Sequence, residues 1–452
     1  MDTPAGTTAG LARRFGGVGA APDEQAAVSD RPSSNASRGR RATGRTIAAS
    51  RVSRETSRPA GYRQRLVGFA RDVDEALESL AAEHRLRAAH AITGPQGPEL
   101  IVDAKPAIGL CSNNYLGLAS HPAILQAARQ SLAEEGVGAG ASRLISGTMG
   151  SHLRAEERLA RFVGVEAALL FSTGYAANVG VLGALAGPGD LIVSDQLNHA
   201  SLIDGARLAR AQIVVYRHGD AEHARCLLRE HRARARRALL VTETVFSMDG
   251  DKAPLAELRA VADEHEAALV VDEAHGLGVH GPGGRGLAAD AGVRPDVLVG
   301  TLGKAFGVAG AFAAGTSALR RLLENRARSY VFSTAPLPLL GAAAIAATDL
   351  VEAADGARAT LLAHASRLRE GLRALGADVR GQGTAIVPVV LGDERRAMAA
   401  SAALLERGVF VQGIRPPTVP PGTSRLRMTA MATHTEAHIA RALEALGTIE
   451  LR

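Results

Sequence analysis

Short apolar runs alternate with helix-spaced segments along most of the chain. Residues 167–171, 191–193, 213–216, 238–241, 268–271 and 297–299 are almost wholly apolar, too short for helices and suited to strands buried on both faces. Between several of them the apolar positions recur at helical spacing, as in 256–265. Strand–helix alternation of this kind predicts an α/β fold with a mostly parallel sheet covered on both sides. Ahead of it, Leu66, Phe69, Val73, Ala76, Leu77 and Leu80 describe an amphipathic helix continuing towards Arg87. After Pro336 and Pro338, one long Ala/Leu helix over about 340–376 leads into a smaller α+β region closed by a helix near 435–447.

Residues 1–60 lack this periodicity and are rich in Ala, Gly, Ser, Thr and Arg, the composition of a disordered tail. Their composition approaches that of a transit peptide, but acids, glycine clusters and the lack of an amphipathic helix favour a bland extension. The predicted organisation is therefore a tail (1–60), an N-terminal helix and arm (61–105), a large domain (106–338) and a small C-terminal domain (339–452). The tail holds ten arginines against five acidic residues, so five of the six net positive charges lie there. The body is nearly neutral, which argues against nucleic acid as a partner. No apolar run approaches the roughly 20 residues of a membrane span. Cys111 and Cys226 have no metal-ligand spacing and suit a reducing, cytoplasmic setting. Glycine runs at 136–140 and 281–286 read as turns, because neither joins a strand to a helix with an acidic residue downstream. Asp220, with His218 and His223 beside it, reads as a helix cap rather than part of a metal site.

Ligands of a doubly wound sheet bind beyond the carboxyl ends of its strands. There the sequence places Asp272 and His275 after one strand and Thr301-Leu302-Gly303-Lys304 after another. A third strand ends in Ser172-Thr173-Gly174-Tyr175 and opens a helix, whose first N–H groups suit a phosphate. A lysine amine, a carboxylate and a phosphate cradle are together what pyridoxal 5'-phosphate (PLP) needs: an imine partner, a charge opposite the ring nitrogen, and an anchor.

The motifs Ser112-Asn113-Asn114-Tyr115-Leu116-Gly117-Leu118, Asn198-His199-Ala200-Ser201, Thr242-Glu243-Thr244-Val245-Phe246-Ser247-Met248-Asp249-Gly250-Asp251, Asp272-Glu273-Ala274-His275-Gly276 and Thr301-Leu302-Gly303-Lys304 resemble those of the α-oxoamine synthases. These are PLP-dependent transferases of the aspartate-aminotransferase-like fold (fold type I), and the resemblance runs from about Gly61 to the C-terminus. It implies that Lys304 holds the cofactor and then acts as the base at Cα. Asp272 would face the ring nitrogen, His199 would stack on the ring, and Ser247 and His275 would contact its hydroxyl. Gly174, Tyr175 and Thr301 would line the phosphate and ring edge. Thr334 would reach the phosphate of a second subunit, making the enzyme a homodimer. Arg427 would grip the amino-acid carboxylate, with Asn113 and Glu243 ordering the substrate. Arg87, chosen by spacing over its neighbour Arg85, and Thr418 would contact the acyl group. Within the family, Gly413-Ile414-Arg415-Pro416-Pro417-Thr418-Val419-Pro420 and Ser424-Arg425-Leu426-Arg427-Met428-Thr429 point to members that condense L-alanine with a pimeloyl thioester of coenzyme A or acyl-carrier protein. Members using glycine or serine, and a non-catalytic scaffold of the same fold, are the alternatives.

Overall fold

The computed structural model of the protein describes residues 67–451. The expected tail over 1–60 lies outside the described residues. Strands β1 (Ile92–Thr93), β2 (Glu99–Val102) and β3 (Lys105–Gly109) begin the chain's sheets. Then follow β4 (Ala167–Phe171), β5 (Leu191–Asp195), β6 (Gln212–Tyr216), β7 (Ala238–Glu243), β8 (Ala268–Asp272), β9 (Val297–Thr301) and β10 (Ala311–Gly315). The last four are β11 (Ile386–Gly392), β12 (Val409–Phe410), β13 (Gln412–Ile414) and β14 (Ser424–Thr429).

The central sheet has seven strands in the order β4-β10-β9-β8-β7-β5-β6. All six strands expected from the apolar runs are present, and they run parallel to one another. The seventh, β10, pairs antiparallel with both β4 and β9. Sequence reading passed over it because Ala-Phe-Ala-Ala-Gly holds four residues of low strand propensity. Its register instead comes from tertiary packing, with Phe312 fully buried. Every residue of β7 is buried, as expected of a strand covered on both faces. Two apolar cores flank this sheet, one of which includes Leu240, Leu269 and Phe306, and the other Val241, Val270 and Leu182.

Two further sheets complete the frame: β1-β2-β3-β12 and β11-β14-β13. The expected long helix over 340–376 is two helices, Pro338–Glu352 and Asp355–Ala374. Neither Gly nor Pro marks the break. At the break the Val351 carbonyl accepts from the Ala354 N–H at 3.1 Å and from Arg358 at 2.6 Å, which ties the second helix to the end of the first. The N-terminal helix spans Val67–Ala82, ending short of Arg87. Its stripe of Phe69, Val73, Leu77 and Leu80 is exposed in the single chain.

Candidate active site

The carboxyl ends of β7, β8 and β9, and the loop after β5, converge on one cavity of about 390 Å³. Its walls bring together eleven of the residues expected from sequence: Asn113, Gly174, Tyr175, His199, Glu243, Ser247, Asp272, His275, Thr301, Lys304 and Arg427. Parallel pairing sets the spacing at its floor, with Glu243 directly opposite Asp272.

Lys304 lies in the loop after β9, where Gly307 closes a tight turn by donating to the Lys304 carbonyl at 3.0 Å. Gly307 has φ +68°, and a Cβ there would lie 2.4 Å from the backbone nitrogen of Ala119, so only glycine fits. The lysine amine is 3.0 Å from His275 Nε2, and His275 Nδ1 is 2.6 Å from the Tyr115 hydroxyl. Burial, then the cationic neighbours Lys304 and Arg427, hold His275 well below its ordinary range, so the ring is neutral. Burial lowers the Lys304 amine to about 8, against the opposing pull of Asp272 and Glu243. An amine so lowered is a usable base and nucleophile near neutrality.

Asp272 accepts from Asn178 Nδ2 at 2.7 Å and from the Ala274 N–H at 2.8 Å, so both carboxyl oxygens are held. Asn178 also donates to Ser201 Oγ at 2.8 Å, which in turn lies 2.8 Å from His199 Nδ1. His199 caps the helix Ala200–Ala209, and its ring is open to the cavity. Desolvation holds that ring below its ordinary pKa despite the nearby Asp272 charge. A neutral, accessible imidazole can lie flat on an aromatic cofactor.

Arg427 reaches the cavity from β14. Its guanidinium donates to Asn113 Oδ1 at 3.2 and 3.3 Å and to the Ser247 carbonyl. No carboxylate pairs with it among the described residues. A buried guanidinium with only neutral partners is suited to take a carboxylate from a ligand.

The fit to PLP rests on unpaired groups. Thr173 caps the helix Gly174–Leu185, and the first N–H groups of that helix have no intrahelical acceptor. At Gly174 a Cβ would point towards Thr301, 3.8 Å away, so a side chain there would narrow the cradle. Asn178 Oδ1 and Glu243 Oε1 are buried without a hydrogen-bond partner beside the same cavity. The phosphate of such a cofactor would supply acceptors for the free N–H groups at this helix start.

Three expected site residues stand apart from the cavity wall. Arg87 Nη2 lies 3.5 Å from Thr418 Oγ1, so the structure pairs these two, while Arg85 bonds Glu83 at 2.7 Å. Thr334 lies outside that cavity's lining and bridges to Ser142. Sequence reading gave no role to Tyr115, Asn178 or Ser201, which tie the site together. Asn178 was legible in one respect: it falls four residues after Gly174, on the same helix face. Tyr175 places its hydroxyl on Asp204 Oδ2 at 2.7 Å, a contact that its sequence position did not indicate. Among the described residues, no cluster of His, Cys, Asp and Glu could hold a metal ion. His218 is instead clamped between Asp195 and Asp251, and Asp220 caps the next helix as expected.

A family model described as aminotransferase class I and II matches residues 105–446. An 8-amino-7-oxononanoate synthase from Geotalea daltonii is 50% identical over 379 residues, covering 83% of this chain and 96% of the relative. Among solved structures, a serine palmitoyltransferase from Sphingomonas wittichii superposes with a TM-score of 0.79 at 36% identity, covering 85% of this chain and 97% of its own. A high-resolution structure of SPT with PLP gives a TM-score of 0.78 at 34% identity, covering 85% of this chain and 98% of its own.

Proposed function

Because the chain belongs to the class I and II aminotransferase family, and is a PLP-dependent α-oxoamine synthase within it, we propose that it condenses L-alanine with a pimeloyl thioester. Carbon dioxide and the free thiol leave, and 8-amino-7-oxononanoate, a biotin precursor, is the product. The observation that carries this reading is one cavity lined by a lowered lysine amine, a doubly held aspartate and an arginine without an acidic partner. Relatives at about half identity over most of the chain supply the choice of substrates.

When bound, PLP supplies an aldehyde that joins the amino group and a ring that draws electrons from Cα. Asp272 would hold the ring nitrogen in its charged form, and His199 would cover the ring face. The cradle at Gly174, Tyr175 and Thr301 would hold the phosphate, and Ser247 and His275 would meet the ring hydroxyl. Arg427 receives the alanine carboxylate, fixing Cα within reach of Lys304. Lys304 removes the Cα proton, a contribution of about 10²–10⁴-fold for a positioned base. The deprotonated carbon attacks the thioester carbonyl and the thiolate departs. Loss of carbon dioxide follows, and Lys304 returns the proton. Asn113 and Glu243 order the amino acid, and Arg87 with Thr418 receives the acyl chain.

The enzyme works as a homodimer in this reading, with the partner subunit's Thr334 reaching the phosphate. Two features support it: Thr334 is exposed and outside its own chain's cavity, and the apolar Leu144, Ile145 and Phe332 are exposed near the Ser142–Thr334 bridge. The unpaired cysteines suit a cytoplasmic location, and among the described residues no helix is long and apolar enough to cross a membrane.

The test is product analysis by mass after supplying pimeloyl-CoA or pimeloyl-acyl-carrier protein with alanine, glycine or serine in turn. Formation of 8-amino-7-oxononanoate from alanine is the expected result. A strong preference for glycine with a short acyl-CoA would overturn the substrate assignment.

A further inference from the structure

Two carboxyl groups stand side by side at the floor of the cavity. Strands β7 and β8 pair with Glu243 opposite Asp272, and both residues line the same space. Two like charges so placed disfavour each other, and the surroundings decide which carboxyl keeps a proton. Asp272 accepts hydrogen bonds from Asn178 at one oxygen and from the Ala274 N–H at the other, so both its oxygens have partners. Glu243 is 2% exposed, and its Oε1 is buried without a partner. The His199 backbone N–H is a neutral donor that faces its carboxyl.

The groups acting on Glu243 come from every element around it. Asp272 on β8 and Asp195 at the end of β5 oppose its ionisation, and Lys304 in the loop after β9 favours it. His199, His275 and Arg427 share the cavity wall. Burial is the largest influence, followed by Asp272, and together they push the carboxyl up to about 8.

We propose that Glu243 stands in the working site as a neutral carboxylic acid, and that its ionisation, not that of Asp272, shuts the reaction off in alkaline solution. The inference rests on the acyl-transfer reading above. Its physical content is the pull that Glu243 exerts on Lys304. Lys304 must take a proton from Cα and later give it back. A carboxylate at position 243 would strengthen the amine's hold on that proton, whereas a neutral acid leaves it free to move in both directions. Ionisation moves one proton from Glu243 Oε to solvent, and no redox partner is needed. Glu243 acts here through Lys304, as a residue that tunes the base.

Infrared spectra of the holoenzyme, recorded without substrate across about pH 6 to 10, read the protonation state directly through the carboxylic C=O stretch. Glu273, pushed up to about 7 by burial, should give one such band, which is kept in Glu243→Gln. A second band should vanish with a midpoint of about 8. It should be absent from Glu243→Gln and shifted to lower pH in Asp272→Asn, where the opposing charge is gone. The pH profile of kcat, scaled to each enzyme's own value at neutral pH, should lose its alkaline fall in Glu243→Gln. A band unchanged in Glu243→Gln, or an alkaline fall that survives the substitution, would overturn the proposal. The infrared arm needs no acyl donor, so it decides the state of Glu243 even if the assigned thioester proves wrong.

Discussion

Two groups of histidine and aspartate stand at the carboxyl ends of the same sheet, and their chemistry diverges. Beyond β5 and β6, His218 places one ring nitrogen 2.9 Å from Asp195 and the other 2.7 Å from Asp251, with Phe246 edge-on at 4.3 Å between centroids. Two carboxylates outweigh the cost of burial, and the imidazole is pushed up to about 10. Beyond β8 and β9, His275 sits between an amine and a phenol, with no carboxylate among its partners, and is held neutral. In the first cluster both ring nitrogens of the histidine are taken up by carboxylates, so the ring has no free nitrogen for a ligand. The second leaves an amine, an arginine and a carboxyl short of partners within a cavity. Residue type therefore does not separate a structural cluster from a reactive one. Pairing does.

The largest break in this comparison is Lys304→Ala. Thiol release in the thioester assay should fall by at least about 10²–10⁴-fold, while thermal stability is kept. Arg427→Ala comes next. Losing a charge-assisted contact of about 1.5–3 kcal/mol should raise the amino-acid KM roughly 10- to 100-fold, measured against alanine concentration at fixed thioester.

His218→Gln should act on the other cluster and move stability rather than rate. The folded pKa of His218 lies above the ordinary histidine value, so its stabilisation is complete below about 6.5 and is lost as pH rises towards about 10. The variant should therefore be less stable than the parent by about 2 kcal/mol in acidic buffer, converging on it in alkaline buffer. Denaturant midpoints across pH measure this, and a kcat change above about threefold would blur the distinction between the clusters. Tyr175→Phe should have the smallest effect. Its bond to Asp204 is exposed and screened by solvent, so kcat/KM should stay within about fivefold.

Much of this architecture was legible in the sequence because burial on both faces leaves an uninterrupted apolar run. The six parallel strands carry that signature, and Lys304, Asp272 and His275 are readable as polar residues just beyond such runs. Strand β10 was not, since its alanines carry little strand preference and its place is fixed by β4 and β9 on either side. The helix break at 353–354 was hidden for a related reason: an arginine five residues on, rather than Gly or Pro, satisfies the end. Contacts across long separations were the least visible. Arg427 meets Asn113 across 314 positions, and Tyr115 meets His275 across 160. Periodicity reports on one element at a time and cannot register either pair. Arg87 likewise meets Thr418 across 331 positions, while Arg85 bonds its near neighbour Glu83.

The central claim is that one amine, at position 304, carries the cofactor. Treating the PLP-loaded enzyme with borohydride fixes an imine as a stable secondary amine, and peptide mapping by mass then locates it. The pyridoxyl group should appear on the peptide containing Lys304 in about one copy per chain, and Lys304→Ala should abolish it. Labelling of Lys105 or Lys252 in its place, or none in the fully loaded protein, would contradict the assignment.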